Sequence, residues 1–80
     1  MTALTYRTLG FNNLRVSHTI LVTAKGYVGV IIEVIKENGS VQLRTSEKET
    51  KWASVRDCRE ATMHEREKFI RENPAVEVRP

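Results

Sequence analysis

Between residues 16 and 55 the hydrophobic positions recur at every second residue, the spacing of strands with a face against a core. Val16, His18, Ile20 and Val22 alternate with Ser17, Thr19, Leu21 and Thr23, which predicts a first strand. Ala24-Lys25-Gly26 forms a tight loop. Val28, Val30, Ile32 and Val34 then alternate with Gly29, Ile31, Glu33 and Ile35, a long β-branched strand apolar on much of both faces. Lys36-Glu37-Asn38-Gly39 should close it as a hairpin, because Asn and Gly both accept the positive φ of a tight turn. Val41 and Leu43 point one way and Gln42 and Arg44 the other. A polar loop from Thr45 to Thr50 leads to a fourth short strand, Lys51 to Val55.

The period then changes. Asp57-Cys58-Arg59-Glu60 and Thr62-Met63-His64-Glu65 each have the spacing of a helix capping box, and Asn73-Pro74 is a stop. A helix over about residues 58–72 would carry a thin apolar stripe of Cys58, Met63, Phe69 and Ile70 and dock along one edge of the barrel. Residues 74–80 read as a tail, with Val76 and Val78 placed to add a strand. Residues 1–15 show no sustained period and read as an N-terminal arm. The chain is expected to be one domain, with an arm (1–15), a β-barrel (16–56), a C-terminal helix (57–73) and a tail (74–80). The expected class is mainly β: a small barrel of four to five strands with an appended C-terminal helix, since a small sheet must close or be covered to hide its edges.

Composition narrows the function. At 80 residues a single core has little stability to spare for a strained catalytic cleft. The single cysteine, Cys58, has no intramolecular disulfide partner and no second thiol with which to share a metal. Neither a signal peptide nor an apolar run of membrane-spanning length is evident, so a cytoplasmic protein is expected. The net charge is +3, and its distribution is uneven: residues 1–30 contain Arg7, Arg15 and Lys25 but no carboxylate. That third of the chain suits an anionic partner such as nucleic acid.

Residues 17–58 carry a further pattern: Ile20-Leu21-Val22, then Lys25-Gly26-Tyr27-Val28-Gly29, then Val30-Ile31-Ile32-Glu33-Val34. Gly39, Val41-Gln42-Leu43, Trp52, Val55 and Asp57-Cys58 continue it. This resembles the SH3-like barrels of the KOW type, found in ribosomal and transcription-elongation proteins. Ser17-His18 stands where that family usually has Gly-Asp, and Cys58 where Leu is common. The resemblance implies a small barrel and a binding role; the helix and the arm lie outside it.

No arrangement of residues suggests catalysis. Cys58 and His64 lie six apart and would face different sides of a helix, and no Cys/His spacing suits a metal. Gly26-Tyr27-Val28-Gly29 lacks the length and following helix of a phosphate cradle. His18, on the apolar phase of its strand, is expected to be packed and hydrogen-bonded. Neither an enzyme nor a cofactor is expected. The binding candidates are Lys25, Tyr27, Arg44, Lys51 and Trp52, cations beside two aromatics that could neutralise phosphates and stack on bases. Tyr27, in a turn between glycines, is expected to be exposed, whereas Trp52 is expected to cover the barrel. Two functions fit: a non-catalytic module for nucleic acid or a nucleoprotein complex, or an accessory factor, of the type encoded by phages or plasmids, that docks on a larger host protein. An exposed edge strand also offers a route to a homodimer.

Overall fold

The computed structural model describes residues 14–80, so the expected arm lies almost wholly outside the described residues. Five strands follow one another: β1 (Ile20–Thr23), β2 (Val28–Ile35), β3 (Ser40–Ser46), β4 (Glu49–Ser54) and β5 (Cys58–Glu60), with a 3-10 turn (Val55–Asp57) before β5. The helix α1 (Met63–Glu72) comes last. The strands form one antiparallel sheet in the order β4-β3-β2-β1-β5. This is the small, mainly β domain with a C-terminal helix that the alternation predicts.

The sheet buries both of its faces at β1 and the first half of β2, which is why apolar residues occupy both phases there. Leu21, Ile31, Val41 and Leu43 point inward and share one core with Val55 and Cys58. Ile20 and Val30 point outward and are covered by Phe69 of α1 and Val76 of the tail. A bulge adjusts the pattern within β2: Ile31 pairs with Leu43, but Glu33 pairs with Gln42, leaving Ile32 as the extra residue. The extra residue reverses the alternation and brings Val34 onto the inner core beside Ile31.

Gly29 is required by close approach. A Cβ there would meet the Arg44 carbonyl oxygen and the Leu43 Cβ, each at 2.9 Å. One of those atoms is backbone hydrogen-bonded in a sheet and cannot step aside cheaply. Gly29→Ala is therefore expected to destabilise the domain by about 1–3 kcal/mol, the usual cost of overpacking. Equilibrium urea unfolding checks this.

Several local expectations are corrected. The first strand begins at Ile20, and Val16 to His18 form a turn in which Ser17 has φ +67°. Local hydrogen bonds compete with the sheet there: the Arg15 amide donates to Thr19 Oγ1 (3.0 Å), and the Thr19 amide to the Arg15 carbonyl (2.9 Å). His18 accordingly leaves the strand; its Nδ1 sits 2.9 Å from the Pro80 carbonyl at the surface. In the β2–β3 turn only Gly39 has positive φ, at +71°, while Asn38 acts through its side chain, accepting from the Ser40 amide at 3.1 Å. The expected polar loop from Thr45 to Thr50 shrinks to Glu47-Lys48, because β3 and β4 pair as far as Ser46 and Glu49.

The largest correction concerns residues 57–62. Cys58 to Glu60 pair with Leu21 to Thr23 as β5 instead of opening the helix. The second capping box is the one used: the Glu65 amide donates to Thr62 Oγ1 (3.1 Å) and the Thr62 amide donates to Glu65 Oε1 (2.9 Å). The expected apolar stripe does not face the sheet. Phe69 is buried, while Met63 is 70% exposed and Ile70 41%. Polar clamps supply much of the remaining docking. Arg59 donates to both Glu65 carboxylate oxygens (2.7 and 2.8 Å), tying β5 to α1. Arg66 donates to the carbonyls of His18 (2.6 Å) and Arg79 (3.0 Å), tying α1 to the turn before β1 and to the tail. The tail adds no strand; it docks through Val76 and through the Arg79 amide, which donates to the Ser17 carbonyl at 2.6 Å.

The Arg59–Glu65 clamp gives the fold a pH dependence. The hydrogen bonds from the Arg59 guanidinium, then that from the Thr62 amide, hold the Glu65 carboxyl down at about 2, against an ordinary value of 4.5. The folded state thus binds this proton more weakly than the unfolded chain. The clamp's contribution is complete above pH 4.5 and lost as pH falls toward 2. Thermal melts of the parent should fall across that window, and Glu65→Gln should flatten the fall while lowering the melting temperature at pH 7.

Candidate functional site

A groove of about 400 Å³ opens between the β1–β2 loop and β4, with the 3-10 turn closing one end. Thr23, Ala24, Lys25 and Tyr27 line it on the loop side, residues 51–54 on the β4 side, and Asp57 at the turn. β4 pairs with β3 alone, so its other edge borders this groove unpaired among the described residues.

Local hydrogen bonds shape the loop side. Gly26 has φ +93°, and its amide donates to the Thr23 carbonyl at 2.9 Å. The Thr23 amide donates to the Tyr27 carbonyl (2.8 Å), and the Tyr27 amide donates back to Thr23 Oγ1 (3.1 Å). The loop is also fixed to the 3-10 turn, because the Ala24 amide donates to the Asp57 carbonyl at 2.7 Å. Tyr27 is thus presented by a braced turn, 42% exposed as its position between glycines predicts.

Four of the five predicted binding residues line this groove: Lys25, Tyr27, Lys51 and Trp52. Lys51 Nζ lies over the Tyr27 ring at 4.5 Å from its centroid, and 3.7 Å from Glu49 Oε2. Trp52 does not cover the barrel; it is 53% exposed. Its cross-strand partner is Gln42, whereas Lys51 is opposite the inward Leu43. Trp52 therefore stands at the groove's rim on the outer phase of β4, and Lys51 on the inner phase.

Arg44 is not brought to the groove. It shares the outer phase of β3 with Gln42, pairs with Val30 and Thr50, and its Nη1 donates to the Glu47 carbonyl at 3.3 Å. Lys48 lies apart too, in a separate hollow against the C-terminal end of α1. Asp57 is the charged lining residue that lies outside the sequence candidates. The Asp57-Cys58-Arg59-Glu60 spacing reads as a helix cap, and the short 3-10 turn that places Asp57 at the groove has no periodic signature.

Cys58 is wholly buried in the inner core, and its Sγ donates to the Ser54 carbonyl at 3.3 Å. Burial, and secondarily the Asp57 charge, push the thiol up to about 11, away from the thiolate a nucleophile needs. His64 is exposed on α1. Among the described residues no group of three or more His, Cys, Asp or Glu side chains is arranged to hold a metal ion, and no helix is long and apolar enough to cross a membrane. Compared with known proteins, the chain matches no family model, no curated protein and no solved structure.

Proposed function

We propose that this domain is a binding module for single-stranded nucleic acid, free or within a nucleoprotein complex, and that the groove between the β1–β2 loop and β4 is its contact surface. The observation that carries this reading is the convergence of Tyr27, Trp52, Lys25 and Lys51 on one groove, both aromatics exposed. A volume of about 400 Å³ lies at the low end of small-ligand sites, roughly 300–1,000 Å³. It suits an unpaired base better than a duplex. The acid-free first 30 residues and the resemblance of residues 17–58 to KOW-type barrels support the same reading.

The energetics favour a base over the resident cation. Lys51 over an exposed Tyr27 ring contributes about 0.5–1 kcal/mol. Stacking a base on an aromatic contributes about 1–3 kcal/mol. A base therefore displaces the ammonium from the ring, and Lys51 becomes available to a neighbouring phosphate.

Fluorescence anisotropy of a labelled single strand across a salt series tests the reading. Two lysines on phosphates predict a log–log salt slope of about −1.4. Absence of binding to RNA and DNA strands alike, or an affinity indifferent to salt, would overturn it. The unpaired edge of β4 favours a second reading, in which an extended segment of a host protein adds to the sheet. That reading takes over if strands fail to bind while a stoichiometric protein complex survives nuclease treatment and is lost on substituting β4 edge residues.

A further inference from the structure

We infer that Asp57 makes the groove selective for guanine among unpaired bases, a conclusion that rests on the nucleic-acid reading above. Among the described residues, Asp57 is the one acid lining a groove that also holds Lys25 and Lys51. A carboxylate repels phosphate, so its neighbourhood is the part of the groove that a backbone avoids and a base edge can occupy. Its side chain is exposed and, among the described residues, has neither an ion pair nor a hydrogen bond. Its backbone, by contrast, is fixed: the Asp57 carbonyl accepts from the Ala24 amide at 2.7 Å, holding the residue against the loop that presents Tyr27. The groove thus offers a ring to stack on and, in the same lining, an unengaged carboxylate.

The chemistry of the base edges selects the ligand. An ionised carboxylate only accepts hydrogen bonds, through two parallel oxygens. Guanine alone carries two adjacent donors on its Watson–Crick edge, N1–H and the N2 amino group. Adenine and cytosine place a ring-nitrogen acceptor beside their single amino group, and uracil flanks N3–H with two carbonyls, so each sets a lone pair against the carboxylate. Lys25 and Lys51 remain for the flanking phosphates, and Trp52 at the rim for a neighbouring base.

The test is anisotropy titration of the full chain with oligouridine strands carrying a single central guanosine, inosine, adenosine or cytidine. The guanosine strand should bind about tenfold more tightly than the others, within the range of a two-point base contact. Inosine, which keeps N1–H and lacks the N2 amino group, should lose most of that advantage. Asp57→Asn should bring all four strands within about twofold without weakening the adenosine strand, since it removes a charge that opposes phosphate. Equal binding of all strands by the parent, or a guanosine preference that survives in Asp57→Asn, overturns the inference and leaves the nucleic-acid reading standing. Failure of every strand to bind overturns both. The inosine comparison needs no variant, so it decides the matter even if Asp57→Asn fails to fold.

Discussion

Tyr27→Ala and Trp52→Ala are each expected to weaken single-strand binding by roughly five- to 150-fold, the loss of one stacked base at about 1–3 kcal/mol. Each should cost no more than about 1 kcal/mol of stability, since Tyr27 is 42% and Trp52 53% exposed and Tyr27 gives up only its contact with the Lys51 ammonium. Tyr27→Phe keeps the ring and should stay within about twofold of the parent, which separates stacking from hydrogen bonding by the phenol. Arg44→Ala should bind as the parent does, since Arg44 does not line the groove and its guanidinium donates to the Glu47 carbonyl. Anisotropy measures the affinities, and thermal melts report whether each variant is folded. Equal losses at Arg44 and Tyr27 would mean a diffuse electrostatic surface in place of a groove.

Phe69→Ala should have the largest effect on stability, about 3–5 kcal/mol, the usual cost of truncating a buried phenylalanine. A domain of 80 residues has in total about 4–12 kcal/mol, at roughly 0.05–0.15 kcal/mol per residue. Phe69 is the one buried side chain of α1 and joins Ile20, Val30 and Val76 in the outer core. Its loss removes the apolar contact that covers the back of β1 and β2 and that the tail packs against. Met63→Ala and Ile70→Ala should each cost less than about 1 kcal/mol, as expected of exposed positions. Urea unfolding monitored by far-ultraviolet circular dichroism gives all three. Were Met63 to cost as much as Phe69, the helix would dock on the face its sequence stripe suggests and not on the face described above.

The sequence made the sheet legible where one rule governed each residue. The existence of β2 and the inward Val41 and Leu43 follow from alternation alone, but the bulge at Ile32 that turns Val34 onto the face of Ile31 does not. Reading failed where two signals competed. Asp57-Cys58-Arg59-Glu60 has the spacing of a capping box, yet three residues of β5 are too few to show a period, and pairing with β1 overrides the helical signal. The helix stripe misled because α1 is held by one aromatic plus the guanidinium clamps of Arg59 and Arg66, and clamps leave no hydrophobic spacing.

The site was partly legible for the same reason. Turn geometry around Gly26 and Gly29 announced an exposed Tyr27. Arg44 falls outside the groove because β3 lies between β2 and β4, and alternation could not show this, since Trp52 shares the outer phase of Arg44 and still lines the groove. Asp57 could not be found without the 3-10 turn, since its place beside Tyr27 depends on a contact across more than 30 residues, between the Ala24 amide and the Asp57 carbonyl.

Amide and indole chemical-shift mapping with a short single strand, at low and at physiological salt, decides whether the groove is the contact surface. The largest shifts should fall on Lys25, Tyr27, Lys51, Trp52 and Asp57, including the indole N–H of the chain's single tryptophan, and should shrink as salt rises. Shifts confined to α1 or the tail, or no shifts at either salt concentration, would contradict that role for the groove.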